Sequence, residues 1–173
     1  MHYAMLLNID TPRRFFLIFL FLTLLALLVS CTNADEISIN PNIILEENQA
    51  AVIGVSCQGQ PNNYTLSVTI ASPDTGCDQY ADWWEVITPD SVLIYRRILA
   101  HSHVNEQPFS RSGGIVDVGA DEPIYVRAHM NNLGYGSFVF SGTIRGELKP
   151  DTLDQNYAIS ISMTEPLPID CDF

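Results

Sequence analysis

The chain has 173 residues, with 8 Lys and Arg against 20 Asp and Glu and a formal charge of −12. This balance excludes nucleic acid as a partner, because a phosphate backbone is held by clustered basic side chains. It equally excludes an electrostatic hold on anionic lipid.

At the N-terminus, Arg13 and Arg14 precede an apolar run from Phe15 to Val29, which ends on Ser30 and Cys31. A membrane-crossing helix needs about 20 apolar residues, and this run stops at 15. The expectation is a cleaved targeting segment over residues 1–30, with an uncleaved anchor as the alternative. Leu28-Val29-Ser30-Cys31 resembles the lipobox of bacterial lipoproteins. That resemblance implies cleavage before Cys31, acylation of its thiol (palmitate among the acyl chains) and attachment to the membrane. Several acyl chains would make the anchor durable, since one chain binds only marginally. Thr32 stands where an aspartate would resemble an inner-membrane retention signal, which favours the outer membrane in an organism that has one. Residues 31–42, including "TNADEISINPN", read as a polar tether with a reach on the order of 35 Å. Residues 43–173 read as one domain with a single core. The mature chain would carry 6 basic and 19 acidic residues, a charge of −13.

Three cysteines follow Cys31: Cys57, Cys77 and Cys171. An exported compartment permits disulfides, and the odd count leaves one thiol over. The expected bridge is Cys77 to Cys171, clamping the C-terminal "LPIDCDF" onto the domain; Cys57 with Cys77 is the alternative. None of the spacings suits a zinc knuckle.

Segments rich in β-branched and aromatic residues recur along the chain: "AAVIGVSC", "YTLSVTIAS", "ADWWEVI", "VLIYRRILAHSH", "GIVDVG", "PIYVRAHM", "SFVFSGTI" and "YAISISM". Between them lie turn signals, among them "GQPNN", "RSGG", "NNLGYG" and "KPDTLDQN". No segment after the targeting run sustains a helical period over three turns, so the chain is predicted to be all-β. Seven or eight short strands without alternating helices suit an antiparallel β-sandwich, immunoglobulin- or fibronectin-like, with a cupin-like jelly roll as the alternative. "IYVRAHMNNLGYG" resembles the sixth strand and following turn of fibronectin-type domains. Because neighbours in a strand face opposite ways, one of Trp83 and Trp84 should enter the core and the other lie on the outer face or under a loop. Burial of both is the expected arrangement. An exposed tryptophan near Tyr80 or Tyr95 would instead offer a stacking surface to a sugar.

The chemistry-bearing stretch is "LAHSHVNEQPFSRSGG". If "ILAHSH" ends a strand, His101 and His103 share a face with Cα atoms roughly 6.5 Å apart. Glu106 then folds back from the loop, and His129 joins from a neighbouring strand. Three imidazoles and a carboxylate suit one Zn, Cu(II), Fe or Mn ion. Met130 should face away from such an ion and into the core. The competing reading is a polar loop in which Glu106 pairs with Arg111 or Arg127. His101-x-His103, Glu106 and Gly113, with His129 later, also resemble the cupin pattern, which implies a jelly roll and a metalloenzyme. Only two residues separate His103 from Glu106, where that family usually has three or four.

No Gly-x-Ser-x-Gly elbow, phosphate-cradling glycine loop or His-Glu-x-x-His pair occurs. Finally, "SPDTGCDQYADWWEV", "HSHVNEQPF" and "VRAHM" resemble a family of uncharacterised exported bacterial lipoproteins. The resemblance implies a single exported domain and no particular activity. The reading is a lipid-anchored envelope protein with a binding or structural role, its protein or sugar partner unspecified. A divalent-metal site, a metal-free adhesion or carbohydrate-binding module and a cupin-like enzyme stand as its variants.

Overall fold

A computed structural model describes residues 48–172. The expected targeting segment (residues 1–30), Cys31 and the expected tether (residues 31–42) lie outside the described residues. Within them run β1 (Ala51–Gln60), β2 (Asn63–Ala71), β3 (Ala81–Ile87), β4 (Leu93–Ile98), β5 (Phe109–Val116), β6 (Ile124–Met130), β7 (Gly134–Tyr135), β8 (Phe138–Thr143) and β9 (Glu147–Thr152), followed by a 3-10 helix at Ile159–Met163. None of the described helices is long and apolar enough to cross a membrane.

Two antiparallel sheets form a sandwich. One is ordered β1-β2-β5 and the other β4-β3-β6-β8-β9, with β7 pairing on β6. The first, second and fifth strands thus face the fourth, third, sixth and eighth, the strand order expected of the immunoglobulin- and fibronectin-like arrangement rather than of a jelly roll. Alternation explains the core. Along β2, Tyr64, Leu66, Val68 and Ile70 are buried between more exposed neighbours. They pack with Trp84 and Val86 of β3, Val126, Ala128 and Met130 of β6, and Phe140 of β8. Each such large side chain contributes about 1.5–3 kcal/mol on burial. Met130 is a core residue, as its parity required.

Three segments depart from the sequence reading. "RSGG" is not a turn: Arg111–Gly114 lie inside β5. A Cβ on Gly113 would fall 2.4 Å from the Tyr95 hydroxyl, so the glycine makes room for a ring packing from β4. "KPDT" is likewise strand, in β9. That strand is the edge of its sheet, where a proline's missing N–H costs little. "YAISISM" is not a strand but holds the 3-10 helix, entered through Ala158 in the left-handed region at φ 51°.

The bridge between Cys77 and Cys171 is present, with Cα atoms 5.7 Å apart, and Cys57 is buried outside it. Trp84 is fully buried in the core and Trp83 lies on the opposite face of β3, 4% exposed. The strand parity was therefore correct, and neither tryptophan offers an open platform to a sugar. Where the chain enters the sandwich, a Cβ on Gly136 would meet the Ala50 carbonyl at 1.7 Å. Only glycine permits that approach, which seats the start of β1 against the segment between β7 and β8.

Candidate functional site

The histidine loop is built on Asp74. Strand β4 ends at Ile98, so His101 and His103 sit in the connection to β5 and not on a strand face. The carboxylate of Asp74, itself buried, accepts hydrogen bonds from the Ser72 hydroxyl at 2.7 Å, the Ala81 amide at 3.0 Å and the His103 amide at 2.8 Å. Gln107 closes the loop: its amide oxygen accepts from the Ser72 backbone N–H and its nitrogen donates to the His103 carbonyl.

His103 is thereby turned inward. Its ring stacks on Phe109 at 3.8 Å, and neither ring nitrogen has a hydrogen-bond partner. The exposed His101 ring lies 4.6 Å from it, while Glu106 is exposed and paired with Arg111 at 2.7 Å. That pairing holds the Glu106 carboxyl below the ordinary carboxylate range.

His129 is elsewhere, on the outer face of the larger sheet. The register passes from Ala81↔Met130 to Trp83↔His129, leaving Asp82 as an extra residue in β3. Such a bulge re-aims a side chain, and here the Asp82 carboxylate lies 2.7 Å from His129 Nδ1. Trp83 covers the imidazole face at 3.6 Å, nearly parallel, and Tyr135 packs at its edge. The proposed set of His101, His103, His129 and Glu106 is therefore not brought together. Among the described residues, no three His, Cys, Asp or Glu side chains converge in a group that could hold a metal ion. The reason is local: the strand end predicted to align two histidines is a loop organised by Asp74, and the third histidine and the glutamate each have another partner.

The same outer face carries a constellation that the sequence reading did not single out. Glu85 is fully buried, with Arg96 on one carboxylate oxygen, Nε at 2.8 Å, and Arg127 on the other, Nε also at 2.8 Å. Strand pairing dictates this, since Glu85 lies opposite Arg96 on β4 and Arg127 on β6. The outward nitrogens of Arg96 donate to the carbonyls of Ile161, Thr164 and Pro166, and those of Arg127 to Tyr157 and Ala158. Two guanidiniums thus fasten the C-terminal segment over the sheet. Arg96 also lies over Trp83 at 4.4 Å and Arg127 over Tyr135 at 3.5 Å. Burial and the Glu85 charge raise the pKa of the Tyr135 phenol and keep it protonated. A signal was available in "DWWEVI": a carboxylate at an outward position of so apolar a strand needs cationic partners.

His103 makes a pH-dependent contribution to stability. Burial lowers its pKa from the usual 6.5, the charges of Arg111 and His101 act in the same direction, and Asp74 and Glu106 oppose them. The unfolded chain then binds the proton more tightly than the folded one. Folding stability should be intact above about pH 6.5 and fall as the pH drops from there toward the lower folded value. His103→Phe keeps the stack on Phe109 and loses no ring hydrogen bond. Urea unfolding from pH 7.5 to 5 should show a shallower loss of stability in the variant than in the parent; parallel slopes would mean that His103 does not titrate on unfolding.

No family model matches the chain, and no solved structure matches it. A curated protein of Halomicrobium mukohataei, described as "Putative lipoprotein", is 36% identical over 107 residues, 62% of this chain and 52% of that protein. This chain is similar to that protein. It spans about half the length of this curated relative.

Proposed function

We propose that the protein is a lipid-anchored component of the cell envelope, with a binding or structural role carried by its β-sandwich. The observation that carries the reading is Leu28-Val29-Ser30-Cys31 at the end of an apolar run. The similarity to a protein described as a lipoprotein supports it. A disulfide between Cys77 and Cys171 suits an oxidising compartment. On this reading residues 1–30 are removed, Cys31 is acylated, residues 31–42 are the tether, and residues 43–173 stand clear of the bilayer. In an organism with an outer membrane, Thr32 favours that membrane as the destination. The described histidines and Glu106 make loop and packing contacts, which favours the version of the role that needs no metal.

The test is metabolic labelling with a palmitate analogue, together with membrane fractionation of the full chain and Cys31→Ala. The parent should take the label and partition into detergent. The variant should lose the label, and either leave the membrane or persist as a longer, uncleaved form. A parent protein that takes no label, or a variant that keeps it, would overturn the lipobox reading.

A further inference from the structure

We propose that Asn63 is a glycosylation site, the acceptor for an oligosaccharide transferred from a lipid carrier. The proposal rests on the export reading above, because such transfer takes place outside the cytoplasm. Asn63-Tyr64-Thr65 is the one Asn-x-Ser/Thr triplet in the chain, and its middle residue is not proline. By itself the triplet is only a motif; its placement makes it a site.

Asn63 opens β2 directly after the turn at Pro61 and Asn62, and it is exposed. Asn62 takes the left-handed conformation at φ 64° and ties the turn down: its backbone N–H donates to the Val118 carbonyl and its side chain to Asp117. The hairpin tip is therefore held in place by Asn62, while Asn63 faces solvent.

Strand parity does the rest. Tyr64 points into the core, 5% exposed, so Asn63 and Thr65 share the outer face, and both are exposed. On the β5 side of Thr65 stands Gly114, whose Cβ, if present, would lie 3.1 Å from the Thr65 hydroxyl. The absence of a side chain there leaves the hydroxyl uncovered. The site also lies at the far end of the sandwich: Ala51 pairs with Ala71 where the chain enters, and Gln60 pairs with Asn63 at the other end. Nine residues of strand rise put roughly 30 Å between them. A glycan at Asn63 would project from the end opposite the chain's entry, on the outer face of the β1-β2-β5 sheet, whereas the C-terminal segment is held on Arg96 and Arg127 of the other sheet.

In the reaction, the Asn63 amide nitrogen attacks the anomeric carbon of a sugar carried on a lipid phosphate or diphosphate. The C–N bond forms as the bond from that carbon to the phosphate oxygen breaks. One amide proton is released, and the lipid phosphate leaves with the bonding electrons. The cell's transferase supplies the catalysis and this chain the acceptor.

The test is intact mass and peptide mapping of the full-length protein purified from its own membranes, beside Asn63→Gln, Thr65→Ala and Thr65→Ser. The expected result is a sugar mass on the peptide containing Asn63. Asn63→Gln and Thr65→Ala should abolish it, and Thr65→Ser should retain it. Bare Asn63 in protein that carries lipid on Cys31 would overturn this proposal and leave the anchoring reading standing. Glycosylated Asn63 in protein without lipid would do the reverse.

Discussion

Replacing Glu85 by alanine should lower the unfolding free energy of the domain by about 3–5 kcal/mol, because it leaves two buried guanidiniums facing each other without their shared carboxylate. Glu85, Arg96 and Arg127 are all essentially inaccessible to water, so solvent cannot replace the lost charge. Urea unfolding of a domain beginning at Thr32 is the measurement, with Glu85→Gln as the milder variant should alanine prevent folding. Glutamine retains hydrogen-bond acceptance on one oxygen but no charge, and should fall between parent and alanine. A change below about 1 kcal/mol would mean that the two arginines are held by the C-terminal carbonyls alone.

A replacement of all three residues by apolar side chains distinguishes this triad from one whose charges serve only each other. Elsewhere such swaps are often neutral or stabilising. Here Arg96 and Arg127 also satisfy the carbonyls of Tyr157, Ala158, Ile161, Thr164 and Pro166. Removing the guanidiniums would take these donors from the carbonyls of Tyr157, Thr164 and Pro166, while those of Ala158 and Ile161 keep the Ile161 and Thr164 backbone N–H groups, so the triple apolar variant should remain less stable than the parent. Its C-terminal segment should be cut by protease before the sandwich is.

Removal of the Cys77–Cys171 bridge has the second large effect. The two cysteines are 94 positions apart, and closing a loop of that size restricts the unfolded chain by about 4.7 kcal/mol on the chain-entropy account. A Cys77→Ser/Cys171→Ser variant should unfold at lower urea than the oxidised parent, and reductant should bring the parent down to it. The C-terminal segment should again be the first to yield to protease, since the bridge is its far fastening beyond the arginines. Equal stability of oxidised parent and variant would show that those arginines and the sheet hold the segment unaided.

The sandwich was legible because its determinants are local and periodic. "YTLSVTIA" alternates strictly, "ADWWEVI" coincides with β3, and Met130 and the two tryptophans fall on the faces that parity assigns. Where the reading failed, the deciding partner lay far along the chain. "RSGG" resembles a turn until Tyr95 is placed over Gly113, and "YAISISM" resembles a strand until two arginines on other strands take its carbonyls. The histidine set failed for the same kind of reason. His-x-His has the spacing to converge on a strand, but Asp74, 29 positions before His103, anchors that backbone as a loop.

The amino-acid order alone carries the class of the protein: an all-β chain, two tryptophans on opposite faces, a lipobox-like terminus and a net negative charge. Those properties follow from side-chain period, composition and short motifs, which need no knowledge of what meets what. The fold is what pairs Glu85 with Arg96 and Arg127, seats His129 against Asp82 and Trp83, and leaves Asn63 exposed. Burial and pairing are properties of neighbours in space, and in a sandwich those neighbours come from strands tens of residues apart.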